Sequence, residues 1–194
     1  NYWNKVFRNC IEPYINTLRD VNRVINTFQF KYATLYQETS FEDMIGISTL
    51  EVLEPKLYKW IASNKDAVCG GFMHGLLSNN GNGTNYNKFY HDEFERLGID
   101  PNLAMHCIST MFPVFAKDVN EYQYSYQSLS DIRGKMRVAH EERFELYFML
   151  DFDYIKVSRS IINACIYEYD KDKLIIVINE INKQGNIVYL LDEI

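Results

Sequence analysis

A row of apolar residues at the start of the chain constrains the fold more than any other feature. Trp3, Val6, Phe7, Ile11, Tyr14, Ile15, Leu18, Val21, Ile25 and Phe28 recur at spacings of mostly three and four. A helix gathers such positions onto one side, so this segment must lay an apolar stripe against other elements. Pro13 interrupts the stripe, and a proline inside a helix removes an N–H and clashes with the preceding turn, which predicts a break there. Between the apolar positions stand Arg19, Asp20, Asn22, Arg23 and Asn26. Arg19, Arg23 and Asn26 lie three to four residues apart, so one face presents two guanidiniums and an amide together.

The same signals recur downstream. Ser40 followed by Glu42 and Asp43 reads as a helix start, with Asp43 at the capping-box position, leading into Met44, Ile45, Ile47, Leu50 and Leu53. Pro55 suits the first turn of a second helix, Lys56 to Ser63, whose inner side is Leu57, Tyr58, Trp60 and Ile61. A helix from about Asn87 to Leu97 ends at Gly98, and Asp100-Pro101 opens the next one. Ser78 to Asn85 has almost nothing to bury and reads as a surface loop. The run Leu174 to Ile178 is rich in β-branched residues but continues at helical spacing toward Gly185, and we expect helix. Ser158 or Ser160 caps a helix through Ile161 to Tyr167, and Ile187 to Leu191 begins a closing helix.

Alternation of Tyr122, Tyr124 and Tyr126 makes Glu121 to Ser130 the best place for a short strand or extended segment. The expected fold class is all-α, an irregular multi-helix domain with room for one short strand pair. Its expected parts are a helical subdomain over 1–116 containing the Arg19 helix, a linker or extended Tyr-rich segment over 117–142, and a C-terminal helical subdomain over 143–194 packed on the first.

Composition narrows the function classes. The 194 residues are 47% hydrophobic and 24% charged, an ordinary globular profile with enough chain for a sizeable core. The net charge of −6 argues against a general nucleic-acid-coating surface, because neutralising phosphates takes clustered Lys and Arg. No apolar run approaches the length of a membrane span. Cys10, Cys69, Cys107 and Cys165 are far apart and flanked by apolar residues, which reads as buried free thiols in a reducing, cytoplasmic setting. The start at Asn1, in mid-pattern, reads as part of a larger unit.

Catalytic chemistry is not visible in the pattern. The Ser78–Asn85 loop lacks the Gly-Lys-Ser/Thr ending that a phosphate loop needs. His74, His91, His106 and His140 are too dispersed for a local metal motif, and no Cys pair has zinc spacing. Cys69 with His74, His91 with Asp92, and Asp151 with Asp153 each have a plainer reading as a loosened helix end, a helical first turn and a solvated turn. No catalytic or metal residue is expected. For Arg19, Arg23 and Asn26 there are two readings, a solvated salt-bridged face or guanidiniums that read phosphates supplied by another domain.

The stretch Leu18-Arg-Asp-Val-Asn-Arg-Val-Ile-Asn26 resembles an element just downstream of the nucleotide-binding core in the KAP family of P-loop NTPases. Two further segments resemble that family, Phe41 to Tyr58 with its Glu-Pro-Lys-Leu-Tyr ending, and Glu142-Arg-Phe-Glu-Leu-Tyr-Phe-Met-Leu150 followed by Val157-Ser158. The resemblance implies a helical lid, sensor or regulatory region following an ATPase core, with ATP and Mg bound by the full-length parent and no cofactor in this part. The partner it implies is the N-terminal P-loop NTPase core of the same chain. By analogy with related STAND and AAA-like enzymes, Arg19 is the nucleotide-sensing candidate and Arg23 supports it or holds Asp20. Tyr147 and Phe148 become packing residues joining the later part to the body. The family's links to membrane-associated signalling and to phage defence in bacteria belong to full-length proteins. A second expectation is a helical protein–protein interaction or self-association module using Tyr122, Tyr124 and Tyr126, and a third is a nucleic-acid-binding module.

Overall fold

Helix starts and stops fall where local chemistry places them. The computed structural model describes residues 1–70, 86–121, 127–148, 157–167 and 170–193. All of its regular structure among the described residues is helical, so the all-α expectation holds. The loop Ser78–Asn85 and Tyr122, Tyr124, Tyr126, His74, Asp151 and Asp153 lie outside the described residues. The chain forms two compact units, Asn1–Leu150 and Asp151–Ile194.

In the first unit, α1 (Tyr2–Val6) runs on into a π-helical turn, Phe7–Ile11, and a 3-10 turn, Glu12–Tyr14, before the backbone becomes extended at Ile15. The break predicted at Pro13 is thus spread over two non-α turns. Thr17 then caps α2 (Leu18–Leu35) with a closed capping box. Its hydroxyl accepts from the Asp20 N–H at 3.2 Å, and the Asp20 carboxylate accepts from the Thr17 N–H at 2.9 Å. Helix α3 (Phe41–Leu53) packs along α2, and α4 (Pro55–Ser63) follows after one residue, with Pro55 at its first position. After a π-helical turn at Asp66–Gly70 come α5 (Tyr86–Leu97), α6 (Pro101–Met111) and α7 (Pro113–Asp118). Gly98 adopts φ +69°, the left-handed conformation that ends α5 at no Cβ cost, and Asp100 caps α6 through the N–H groups of Asn102 and Leu103. Two short helices, α8 (Leu129–Gly134) and α9 (Phe144–Phe148), complete the unit.

The core of this unit is aromatic and aliphatic. Phe94, Phe112, Phe115, Phe144 and Tyr147 are fully buried with Met44, Ile47, Leu50, Leu57 and Ile61. Each such side chain contributes about 1.5–3 kcal/mol by leaving water. Trp60 stands edge-on to Phe94 at 4.8 Å, and its indole N–H donates to Glu93 at 3.0 Å.

The expected division at 117–142 is corrected. Val119, Ile132, Arg137 and Val138 are buried in the first unit, and Phe144, Leu146 and Tyr147 belong to its core and not to a C-terminal subdomain. Arg137, inside the segment that reads as a linker, is held by ion pairs to Glu42 and Asp43, described below.

In the second unit α10 (Arg159–Tyr167), α11 (Lys171–Lys183) and α12 (Ile187–Glu193) surround Val157, Ile162, Ile181 and Leu190. Leu174 to Ile178 is helical, as its spacing predicts, and Gly185 at φ +78° follows the end of α11.

Candidate functional site on the outer face of helix α2

Helix α2 is amphipathic with sharply different sides. Val24, Lys31 and Leu35 are buried, whereas Arg19, Arg23 and Asn26 are exposed and aligned on the outer side, continued by Phe30 at 69% exposure. The helical spacing therefore brings the three polar candidates onto one face.

Their environments differ. Arg19 makes no hydrogen bond or ion pair with any described residue. It occupies the second position of the helix, where the macrodipole disfavours a cation by a few tenths to about 1 kcal/mol. Asp20 at the third position offsets part of this. Its carboxyl is held below the usual range first by the Thr17 hydroxyl, then by the Asn16 and Thr17 N–H groups and by Arg23. Arg23 donates from Nη2 to the Val52 carbonyl at 3.3 Å. Val52 is in the last turn of α3, where carbonyls lack helical partners and carry the negative end of the dipole, so Arg23 ties α2 to the end of α3. Asn26 has no such tie.

Tyr147 and Phe148 are placed elsewhere, in the body of the unit. The Tyr147 hydroxyl accepts from the Ser40 N–H at 2.7 Å and donates to the Met136 carbonyl at 2.6 Å. Phe148 packs on Phe144 at 4.6 Å and on Tyr58 at 5.3 Å.

Around Ser40 lies a polar constellation that the sequence pattern does not reveal. Asp43 is fully buried and accepts from the Tyr2 hydroxyl at 2.5 Å and the Val138 N–H at 2.8 Å. The Arg137 guanidinium sits 3.7 Å from the Tyr2 ring and donates to Ser40 Oγ at 2.7 Å and Glu42 at 3.1 Å, with Asp43 at 3.6 Å. The capping box expected at Ser40 is therefore open. The Asp43 carboxylate turns away to Tyr2 and Val138, and the Ser40 N–H donates instead to the Tyr147 hydroxyl and, at 3.2 Å, to the Met136 carbonyl. Burial pushes the Asp43 carboxyl up to about 6, against the pull of Arg137, Tyr2 and Val138. Nearby, Arg143 pairs with Glu38 at 2.5 Å, and buried Lys31 pairs with Glu51 and donates to the Tyr147 carbonyl at 3.3 Å. Lys31, Glu38, Asp43, Arg137 and Arg143 are buried, with Glu42 and Glu51 half-buried beside them, and their ion pairs and hydrogen bonds fasten residues 136–148 to α2 and α3. No local signal marks them, since the partners lie about a hundred positions apart in sequence.

Other chemistry is sparse among the described residues. His91, Asp92 and Glu95 hold ligand atoms within 4.8 Å of one another on α5, as solvated helical neighbours do. Burial pushes the Cys69 thiol up to about 12, away from the thiolate that a nucleophile needs. No helix of the described residues is long and apolar enough to cross a membrane.

The fold and this face together define an all-α protein with an open, arginine-bearing helix. No family model matches the chain, and no curated protein or solved structure matches it either.

Proposed function

We propose that this chain is a non-catalytic helical lid or sensor region of a larger P-loop ATPase, with Arg19 as the residue that meets the nucleotide phosphates. One observation carries this reading: Arg19 is an uncommitted guanidinium on a helix whose start is fixed by a closed capping box. A planar, permanently charged fork suits phosphate oxygens, and holding it on a rigid element lowers the entropy lost on engagement. Arg23, one turn along and tied to Val52, passes a displacement of α2 to the end of α3. The nucleotide, Mg and Walker residues come from an N-terminal core, so this part supplies one edge of the site and no catalytic group of its own.

The test uses the full-length protein. Arg19→Ala is expected to lower ATP turnover tenfold or more without changing the melting temperature, and Arg19→Lys to recover part of it because a lysine lacks the bidentate fork. Turnover unchanged in Arg19→Ala ends the sensor reading.

A further inference from the structure

The unit Asp151–Ile194 has a small core for the helices it holds together. Val157, Ile162, Ile181 and Leu190 are its buried apolar side chains among the described residues, and Cys165 is a free thiol. Units of this length ordinarily take a disulfide, a metal or a second chain to complete their core. The same unit carries half of the large apolar side chains that stand exposed among the described residues, in less than a quarter of the chain. They include Ile175 and Ile176 on α11, and Val188 and Leu191 on α12. Helices that are apolar on more than one side are ordinarily buried in a larger assembly.

The outer face of α11 indicates what completes the unit. Ile181 lies in the core, whereas Ile176, at 64% exposure, stands on the other side of the helix. Lys173, Ile176, Glu180 and Lys183 follow at intervals of three and four, and Asp172 lies one turn before Ile176, so these residues share one face. All of the charged ones are exposed. Lys173 approaches Asp170 at 3.8 Å at its own helix end, and Glu180 and Lys183 have no ion pair with any described residue. The face thus has an apolar centre and a charged rim, the layout of a protein interface. Beside Ile176 a groove of about 270 Å³ runs between α10 and α11, lined by Ala164, Lys173, Leu174 and Val177.

The order of the charges is self-complementary. Laid antiparallel on a second copy about a two-fold axis beside Val177, α11 sets Lys173 opposite Glu180 and Asp172 opposite Lys183, each pair occurring twice. Ile176 of each copy then comes to the groove beside Val177 of the other. An axis at Ile176 itself would set Asp172 on Glu180, and a parallel pairing would set each charge on its own like. The pattern therefore selects one orientation and one register. We propose that this chain forms a two-fold dimer by antiparallel pairing of α11 around Ile176. The contact uses a different helix from the one that carries Arg19 and does not depend on the sensor reading.

The test is the mass of the whole chain in solution, by sedimentation velocity across protein concentration. A dimer that dissociates on dilution is expected, weaker in high salt because its rim pairs are exposed. Ile176→Glu should leave a monomer with unchanged helix content by circular dichroism. Lys173→Glu and Glu180→Lys should each weaken the dimer by about tenfold, since each turns two attractive pairs into repulsive ones. Mixed in equal amounts, these two variants should dimerise again, because the mixed dimer has opposite charges at both pairs. A chain that stays monomeric at every concentration overturns the proposal and leaves the face to a different occupant. A dimer that survives Ile176→Glu overturns it by placing the contact elsewhere. Charge variants that do not recover on mixing overturn the antiparallel register, and with it the proposal.

Discussion

The hydroxyl of Tyr147 accepts a hydrogen bond from the backbone N–H of Ser40 at 2.7 Å, joining residues 107 positions apart at the start of α3. The bond takes the donor that a closed capping box would otherwise satisfy. Removing the hydroxyl in Tyr147→Phe leaves the ring packed and breaks both of its bonds, while the Ser40 N–H keeps the Met136 carbonyl as its acceptor at 3.2 Å. We expect a loss of about 0.5–1.5 kcal/mol, the net contribution of a typical hydrogen bond, because the two backbone groups still pair with each other. Urea unfolding should show a lower midpoint with an unchanged slope. An unchanged midpoint would mean that the bond contributes nothing.

Asp43 links stability to pH in a direction opposite to most carboxylates. Its folded value of about 6 lies above the ordinary 3.8, so the native state holds the proton more tightly than the unfolded chain. Its contribution is greatest below pH 4 and falls as pH rises through 6. Glu42, held below its usual value although its burial acts the other way, has the opposite sign and loses its contribution as pH falls. The measurement is therefore the stability of wild type minus that of Asp43→Asn, whose amide does not titrate. This difference should decline between pH 4 and 6, by up to about 3 kcal/mol, and level off above.

Removing a partner from the buried pair is a different experiment. Asp43→Ala leaves the Arg137 guanidinium buried beside Glu42 with its Asp43 partner gone. A cost of about 3–5 kcal/mol is expected, as for other broken buried ion pairs. Thermal melts at pH 7 that show a shift of only a degree or two would contradict the enclosed geometry.

Gly46 lies mid-helix in α3, where a glycine ordinarily costs about 1 kcal/mol relative to alanine. A Cβ there would stand 3.3 Å from Met111 Sδ and 3.3 Å from Val6 Cγ1. Gly46→Ala should be close to neutral, since helix propensity offsets a small displacement of the flexible Met111. Gly46→Val adds methyl groups with nowhere to go and should cost about 1–3 kcal/mol or more. Denaturation of the two variants side by side distinguishes close helix packing from simple tolerance.

The two arginines of α2 should separate in stability. Arg19→Ala removes a side chain without partners and should change stability by no more than about 0.5 kcal/mol. Arg23→Ala removes the tie to Val52 and should lower the melting temperature measurably, with the shift shrinking in high salt.

The amino-acid sequence by itself determined the features that depend on residues within one or two turns of each other. The apolar spacing from Trp3 to Phe28 made a helical stripe, Pro13 broke it, Asp100 and Pro101 started α6, Gly98 ended α5, and Leu174 to Ile178 continued as helix. That Arg19, Arg23 and Asn26 share a face follows from the same periodicity. Only the tertiary structure decided where buried charges find their partners. Arg137, in a segment that reads as a linker, and Arg143 are both in the interior, where they pair with Glu42, Asp43 and Glu38 about a hundred residues earlier. It also decided that Ser40 and Asp43 would not close their capping box, that Arg23 would reach the end of α3, and that the first helix would loosen into a π turn. Local propensity sets which residues can form a turn. Burial then selects among the possible pairings, because an unpaired charge in the core costs more than any cap contributes.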